Sequence, residues 1–306
     1  MSAEIGIGAG GIVINNYGEV LLIRRDDTRT WAPPGGALDP GELPNEGVAR
    51  EVREETGVIV EPVRLVGLYF SLLRNQDFLS FIFRCIQRGG EPAPSEESPE
   101  VGFYALNPPP GRMLELHASR IRQALHHAGG PPVLVRQQNS LKLRIGWQYL
   151  TLYYRYKDLK RWLQGQPPHI PAPIWTMGVF ALITNQQGQV LWARRRDNGM
   201  WNLPGGGREK KEAPWEALVR EVREETGLEA RPLDVQGVYV KPLRQEMVIN
   251  FTATIEGGNL TTGPESVEFA YFTPGEEPEN TLARQVERVA DWARNPGSGL
   301  PTFRHQ

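Results

Sequence analysis

Residues 35–58 read GGALDPGELPNEGVAREVREETGV, and this stretch decides the fold of the first half of the chain. On a helix, the carboxylates of Glu51, Glu54 and Glu55 stand at positions i, i+3 and i+4 and project from one face. Three negative charges so placed repel one another unless a cation lies among them. Carboxylate oxygens select a hard cation, so the pattern predicts a site for Mg²⁺ or Mn²⁺, which also bridges phosphate oxygens.

The residues around this acidic face fit the same prediction. The Gly-Gly turn lets the backbone approach a ligand closely, which makes the Gly36 carbonyl available as a further metal ligand. Arg50 is placed to orient the carboxylates or to balance their charge. Val48 and Val52 lie four residues apart on one helical face, and Gly57 takes the position that ends many helices.

A single acidic helix face has a simpler interpretation, a solvated surface with weak ion pairs. The pattern returns, however, 170 residues later, where 205–228 reads GGGREKKEAPWEALVREVREETGL. Between Trp31–Val58 and Trp201–Leu228, 15 of 28 positions are identical. The recurrence argues against a plain surface helix and shows that the chain contains a duplicated domain.

Length and charge bound the architecture. A chain of 306 residues fits two domains of about 150 residues. We predict a first domain at 1–130, a connector at 131–172 and a second domain at 173–306. Lys and Arg number 12 against 17 Asp and Glu in the first domain, 7 against 1 in the connector and 15 against 18 in the second domain. Neither domain has an overall positive field, so nucleic acid is not an expected partner.

Location is predicted from what the sequence lacks. No apolar run approaches the roughly 20 residues needed to span a bilayer, and the N-terminus has no positive segment of the kind found in signal peptides. The single cysteine, Cys85, excludes an internal disulfide and suits the cytosol. It lies in the apolar run FLSFIFRC, which is typical of a buried thiol. We therefore predict a cytoplasmic protein that does not contact membranes.

Both halves have the same predicted order of elements. Strand-like runs precede the Pro-Gly-Gly turn, the acidic helix follows it, and further strands are expected at 63–70 and 78–86. An amphipathic helix is expected near 118–127, and its counterpart near 281–294. Helices mixed with hairpin-like strands predict the α/β class, with two α/β/α sandwiches, each around a mixed β-sheet.

The connector is rich in aromatic and basic residues. Tyr149, Leu152, Tyr156, Leu159 and Leu163 recur at helical spacing, although 141–145 alternates like a strand. Basic residues interleaved with aromatics can bind single-stranded nucleic acid. A helix clamped between two acidic domains explains the charge distribution more simply, and we favour that interpretation.

Both copies of the pattern resemble the Nudix box and match its 23-residue template at every defined position. The resemblance covers nearly the whole chain outside 131–172. It implies a Mg²⁺-dependent (or Mn²⁺-dependent) hydrolase that cleaves the pyrophosphate bond of nucleoside diphosphates linked to another moiety. The metal ligands that it implies are Gly36, Glu51, Glu54, Glu55, Gly206, Glu221, Glu224 and Glu225.

The resemblance also implies catalytic roles within and outside each box. The catalytic residues on the helices are Arg50, Glu51, Glu54, Arg220, Glu221 and Glu224. Family members activate the attacking water with a box glutamate or a later loop glutamate, so Glu51 and Glu221 are candidate bases. The loop candidates are Glu97, Glu100, Glu265 and Glu268. Glu42 and Glu212 are expected to support the site.

Residues outside the box give weaker indications of the substrate. Candidate phosphate-binding residues at strand ends are Arg24, Arg25, Arg194 and Arg195, with solvent-exposed strand ends as the alternative. Pro242 lies 15 residues after Gly227 and resembles the mark of ADP-ribose hydrolases, whereas the first copy has Leu72 there. ADP-ribose-like substrates are therefore favoured for the second domain, followed closely by (deoxy)nucleoside triphosphates.

Two other functions stay open at this point. One is a nucleotide-sensing regulatory protein in which one or both Nudix domains act as ligand-binding modules. The other is an RNA 5′-end pyrophosphohydrolase, in which the basic connector would hold RNA.

Two expectations concern the pair of domains. The second copy carries Arg208, Lys210 and Lys211 after its glycines, where the first has no cation, so we expect it to prefer the more anionic ligand. Fusion of two copies gives a millimolar effective concentration, which predicts a monomer with an intramolecular pseudo-dimer. The connector is expected to form part of its interface, and the expected partner is a small nucleotide substrate.

Overall fold

The computed structural model describes residues 3–73, 76–95, 97–127, 129–137, 163, 172–294 and 301–306. The elements of the first half are β1 (Ile5–Val13), β2 (Val20–Arg24), β3 (Trp31–Ala32), β4 (Gly35–Ala37), α1 (Pro44–Thr56), β5 (Ile59–Leu73), β6 (Gln76–Gly89), β7 (Glu100–Tyr104), α2 (Glu115–His126) and β8 (Val133–Arg136).

The second half repeats this order. Its elements are β9 (Ile174–Ile183), β10 (Val190–Arg195), β11 (Trp201–Asn202), β12 (Gly205–Gly207), α3 (Pro214–Thr226), β13 (Leu228–Lys241), the 3₁₀ helix η1 (Pro242–Arg244), β14 (Glu246–Gly258), β15 (Ser266–Phe272), α4 (Ala283–Arg294) and β16 (Thr302–His305).

Each half is an α/β/α sandwich, as predicted. The first sheet is mixed, because β6 pairs in parallel with β1 and antiparallel with β5. The helix α1 packs Val48 and Val52 against one face of this sheet. The helix α2 packs Ile121 and Ala124 against the other face. A small sheet of β3, β2 and β7 completes the half, and β11, β10 and β15 form its counterpart.

The acidic helix begins and ends where its sequence requires. Pro44 occupies the first turn, where its missing N–H needs no partner. The Glu46 side chain accepts a hydrogen bond from the backbone N–H of Leu43 at 3.3 Å. Gly57 adopts a left-handed φ of 74° and donates to the Arg53 carbonyl at 2.8 Å. The helix is therefore fixed at both ends, and its acidic residues keep one orientation.

The two halves are joined through one continuous sheet. The strands β1 and β9 pair antiparallel, with Ile5 opposite Trp175 and Gly6 opposite Ile174. The main path of this sheet runs β16-β13-β14-β9-β1-β6-β5-β8, with β4 and β12 paired to its central strands. One cluster of buried apolar side chains includes residues of both halves. Packing across the junction therefore involves core residues as well as backbone hydrogen bonds.

Polar contacts add to the junction. The buried carboxylate of Asp77 accepts a hydrogen bond from Arg208 at 2.6 Å. The Arg136 side chain forms an ion pair with Glu216, and a ring nitrogen of His305 lies 2.9 Å from the Gly41 carbonyl oxygen. These contacts join loops, strand ends and the first turn of α3 across the two halves.

The segment 131–172 enters the described structure only at its two ends and at residue 163. Its first residues form β8, which pairs in parallel with β5, and β16 pairs with β13 in the same way. The predicted helical stripe of Tyr149, Leu152, Tyr156 and Leu159 lies outside the described residues. Within the described part of the chain, no helix is long and apolar enough to cross a membrane.

Candidate active site

A buried glutamate lies at the base of each candidate site. Glu55 is 8% exposed and accepts a hydrogen bond from the Gly35 N–H at 2.7 Å. Glu225 is 7% exposed and accepts from the Gly205 N–H at 2.9 Å. Burial raises the pKa of Glu55 to about 7 and that of Glu225 to about 8, and the adjacent carboxylates of the same helix add to the effect. A nearby positive charge would stabilise these carboxylates as anions.

The glycine after each of these N–H donors lies against a second glutamate. A Cβ atom built on Gly36 would stand 2.5 Å from Oε2 of Glu51, and one built on Gly206 would stand 2.4 Å from Oε2 of Glu221. Any side chain at these positions would displace the carboxylate. The glycine therefore lets the backbone, with its carbonyl oxygen, approach the carboxylate closely, and both supply oxygen atoms of the kind that a hard cation prefers.

One arginine organises the carboxylates of each helix. In the first half, Arg50 donates to both carboxylate oxygens of Glu42 at 2.8 Å, to Glu51 at 2.9 Å and to Glu54 at 3.0 Å. It also donates to the Ala37 carbonyl at 3.0 Å. The hydrogen bonds to Glu42 and the charge of Glu51 raise the pKa of Arg50 further above its ordinary value. Glu42 therefore holds Arg50, which in turn orients the two helix glutamates.

The second half repeats this network bond for bond. Arg220 donates to both oxygens of Glu212 at 3.0 Å, to Glu221 at 2.8 Å, to Glu224 at 3.2 Å and to the Gly207 carbonyl at 2.9 Å. Among the described residues, no group of three or more Asp, Glu, His or Cys side chains is arranged to hold a metal ion by itself. The donor set nonetheless fits a hard divalent cation, since it consists of carboxylate and carbonyl oxygens.

The four candidate phosphate-binding arginines fall into two kinds. Arg24 pairs across the strands with Glu100, and Arg194 pairs with Glu268 at 2.7 Å. Arg25 and Arg195 instead form bidentate contacts with Asp27 and Asp197, two residues further on. The positive charge of Arg25 lowers the pKa of Glu55, and that of Arg195 lowers the pKa of Glu225. Of these four arginines, Arg25 and Arg195 are therefore the two whose charge acts on the buried glutamates Glu55 and Glu225.

The loop glutamates separate in the same way. Glu100 and Glu268 lie on β7 and β15, where Arg24 and Arg194 hold them. The charge of Glu97 raises the pKa of Glu55, and the charge of Glu265 raises the pKa of both Glu221 and Glu225. Glu97 and Glu265 are thus the loop carboxylates that act on the helix sites.

The geometry agrees with a comparison against known families. A model of the NUDIX domain matches this chain twice, at residues 5–125 and at residues 175–293. The chain belongs to the Nudix hydrolase family. Both matches contain the acidic helix, the glycine pair and the arginine network described above.

Three curated relatives each match 40% of this chain or less. A "MutT-like protein" of Streptomyces ambofaciens is 41% identical over 123 residues, which cover 40% of this chain and 79% of the relative. An 8-oxo-dGDP phosphatase of Mus musculus is 33% identical over 130 residues, 38% of this chain and 39% of the relative. An RNA pyrophosphohydrolase of Psychrobacter cryohalolentis is 38% identical over 78 residues, 26% of this chain and 45% of the relative.

The second Nudix domain contains a buried polar cluster that sequence patterns did not indicate. Arg288 donates to Gln285 at 3.1 Å, and Gln285 donates at 2.7 Å to Asn202, which ends β11 shortly before β12. The Arg288 guanidinium also covers the ring of Phe180 at 5.3 Å. Asn250, the partner of Phe180 in the sheet, is fully buried, and its amide has no partner among the described residues.

The first Nudix domain places different groups on this face. Where the second has Asn202, Asn250 and Gln285, the first has Ala32, Ile82 and His117. Burial and the nearby charges of Arg120 and Arg25 lower the pKa of His117 to about 3, so its ring is neutral at physiological pH. The spacing of single Asn and Gln residues on separate elements carries no sequence signal, so only the fold brings this cluster together.

One expectation about the second Nudix domain was wrong. Arg208 was counted among the cations that would favour a more anionic ligand, but its side chain is fully buried and paired with Asp77 of the first domain. The side chains of Lys210 and Lys211 remain exposed. Trp31 and Trp201, in contrast, pack in the core, against Tyr104 and Phe272.

Proposed function

We propose that this chain is a Mg²⁺-dependent or Mn²⁺-dependent pyrophosphohydrolase with two active sites, acting on nucleoside diphosphates linked to a further group, including (deoxy)nucleoside triphosphates. The observation that carries the proposal is the repetition, in both domains, of a buried glutamate, a glycine pressed against a second glutamate, and an arginine that orients the rest. A domain kept only to bind a nucleotide would have no need of all of these groups.

Each group has a role in the proposed reaction. Glu51, Glu54 and Glu55, with the Gly36 carbonyl, would hold the cation in the first domain, and the second domain has the corresponding set. The cation, when bound, supplies charge neutralisation on the pyrophosphate and a lower pKa for the attacking water. Arg50 keeps Glu51 and Glu54 in position, while Arg25 adds a positive charge beside Glu55.

We assign activation of the water to the loop glutamates Glu97 and Glu265. The support for this assignment is that their charges raise the pKa of the helix carboxylates Glu55, Glu221 and Glu225. Glu100 and Glu268 are engaged by Arg24 and Arg194, and we assign them to holding these arginines on the strands. Glu97→Gln should therefore lower kcat far more than Glu100→Gln in a chain whose second site is inactive.

The buried polar cluster supports a nucleobase-containing substrate for the second domain. The Asn250 carboxamide, next to the Asn202 and Gln285 pair, presents a donor and an acceptor side by side, which matches the edge of a nucleobase. A fully buried carboxamide without a partner is costly, and a ligand that pairs with it removes that cost. The Mus musculus relative named for 8-oxo-dGDP makes a purine nucleotide the first substrate to test.

The domains should differ in substrate, because the first has Ala32 and Ile82 where the second has carboxamides. We therefore attribute the expected difference in substrate to this face of the sheet and no longer to the cations at 208, 210 and 211. ADP-ribose was favoured because of Pro242, but this residue packs closely against Gly41 of the first domain, which gives it a role independent of substrate. RNA 5′ ends remain a second candidate, because the Psychrobacter cryohalolentis relative is named for RNA. We further propose a cytoplasmic monomer in which the two domains form an intramolecular pseudo-dimer.

The test is a hydrolysis screen with the full chain and Mg²⁺ over 8-oxo-dGTP, 8-oxo-dGDP, dGTP, ADP-ribose and 5′-triphosphorylated RNA. Four proteins are compared: the wild type, Glu55→Gln, Glu225→Gln and the double variant. We expect each single variant to retain part of the turnover with a different substrate profile, and the double variant to lose nearly all of it.

Two outcomes would contradict the proposal. Turnover in the double variant equal to that of the wild type would place the chemistry elsewhere. Binding of a nucleotide by the wild type without hydrolysis of any substrate in the screen would favour the nucleotide-sensing function. Products formed in ¹⁸O-labelled water identify which phosphorus is attacked.

A further inference from the structure

Asp77 lies on β6 of the first domain, but its carboxylate is bonded to a loop of the second. This loop, residues 208–212, follows shortly after Gly206, which lies against Glu221, and ends at Glu212, which accepts a hydrogen bond from Arg220. We propose that Asp77 is a positioning residue for the second active site, so that this site is incomplete without the first domain.

The first observation is the buried ion pair. The side chains of Asp77 and Arg208 are both 0% exposed, and Nη1 of Arg208 lies 2.6 Å from Oδ2 of Asp77. The same nitrogen donates to the Glu209 and Glu212 carbonyls at 2.6 and 3.0 Å, which closes the loop on itself. Nη2 donates to the Ala3 and Glu4 carbonyls at 3.1 and 3.0 Å. Three groups of the first domain therefore hold one guanidinium of the second.

The second observation is independent of this pair. Oδ2 of Asp77 also accepts a hydrogen bond from the backbone N–H of Lys211 at 2.7 Å. Lys211 has a φ of 64°, a left-handed conformation that non-glycine residues adopt rarely. The first domain has Gly41 at the matching position, with a φ of 76°. The second loop thus has the same shape without the glycine, and the carboxylate of Asp77 stabilises it there.

The two domains are not equivalent in this respect. In the first domain, Leu38 occupies the position of Arg208. In the second domain, Gln245 occupies the position of Asp77. The loop of the first domain contacts Pro242 and His305 of the second, and no charged pair joins it to them in the described structure. The dependence is therefore expected in one direction only.

The test uses the full chain. Only its measurement of nucleotide hydrolysis rests on the proposed function. Removing one partner would leave a buried charge unpaired, so the main variant is the neutral pair Asp77→Leu with Arg208→Leu, which places at 208 the residue found at 38. Hydrogen exchange is followed by mass spectrometry in residues 205–213 and, as an internal reference, in 35–43. Glu61→Gln, in an exposed ion pair with Arg88, is the control for charge removal.

We expect exchange in 205–213 to become at least tenfold faster in the neutral pair and to stay unchanged in 35–43. Adding Lys211→Gly should restore most of the protection, because glycine adopts the left-handed conformation without help. Mn²⁺ titrations in the Glu55→Gln background should show weaker binding in the neutral pair. With dGTP, kcat should fall at least tenfold in that background, with KM within twofold, and should stay unchanged in the Glu225→Gln background.

The alternatives give different results. If the neutral pair protects 205–213 as well as the wild type does, Asp77 acts only on the stability of the interface and the proposal fails. Equal loss of protection in both loops, or no rescue by Lys211→Gly, would overturn it as well. If no nucleotide is hydrolysed by any protein, the proposed function fails, while the exchange and Mn²⁺ measurements still decide the role of Asp77.

Discussion

Replacing Gly36 with alanine should inactivate the first site while leaving the fold nearly unchanged. The added Cβ would lie 2.5 Å from Oε2 and 2.7 Å from Oε1 of Glu51. Ordinary contact begins at about 3.4 Å, so the carboxylate must move by about 0.9 Å. Glu51 is the end of a flexible side chain, and its movement costs the folded protein little.

The functional effect should be much larger than the effect on stability. Mg²⁺ takes oxygen ligands at 2.0–2.1 Å and tolerates deviations of about 0.2 Å. A shift of about 0.9 Å therefore removes Glu51 from the ligand set, and misplacement on this scale lowers turnover on the order of 100-fold. The free energy of unfolding should change by less than about 1 kcal/mol, because no buried contact of the core is lost.

The assay is the initial rate of nucleotide hydrolysis in the Glu225→Gln background, with urea unfolding of the same proteins. Gly89→Ala is the matched control, because a Cβ there would meet only Cδ1 of Ile59, at 3.9 Å. If Gly36→Ala keeps more than a third of the turnover of its background, Glu51 does not need this glycine. The assignment of Gly36 and Glu51 to one metal site would then be refuted.

Three other measurements test different parts of the structure. Burial raises the pKa of Cys85 to about 12, so an aromatic disulfide reagent at pH 8 should label this thiol only after unfolding; rapid labelling of the native protein would show that it is accessible. The pKa of His117 is about 3 in the folded chain and about 6.5 in the unfolded chain. The free energy of unfolding should therefore fall by up to about 1.4 kcal/mol per pH unit as the pH drops below 6.5. Urea titrations at pH 5.0 and 7.5 should show a smaller fall for His117→Gln. Chelation with EDTA should stop hydrolysis without unfolding the chain, and Mg²⁺ should raise the melting temperature because it binds clustered carboxylates in the native state only; a melting temperature that ignores Mg²⁺ would count against the proposed sites.

The acidic helices could be predicted closely because the information is local. The interval from Gly36 to Glu51 and the stop at Gly57 lie within one continuous segment, and the repeat at Gly206 reinforced it. The strands of the sandwich were also predicted, although β5 and β6 extend beyond the expected 63–70 and 78–86. The two strands are longer because they pair with each other over most of their length. The alternation of apolar and polar residues in the sequence indicates only part of that length.

The contacts between distant segments could not be predicted from sequence. Arg208 follows a Gly-Gly turn, as a phosphate-binding residue would, and its burial depends on Asp77, which lies 131 residues earlier. Glu97 and Glu100 are equivalent as sequence candidates, and only the strand register, which sets Glu100 opposite Arg24, separates them. These outcomes are decided by tertiary pairing, for which local spacing contains no information.

The antiparallel contact between β1 and β9 has a consequence for chains that are cut or truncated. If the halves were separated, residues 5–6 of β1 and 174–175 of β9 would lose their pairing partners and form short open edges, and the fully buried Ile5 and Trp175 face each other there. Open edges with apolar residues recruit strands from other molecules and promote aggregation. A single half expressed alone should therefore self-associate or precipitate, and the two halves should remain in solution best when they are synthesised together.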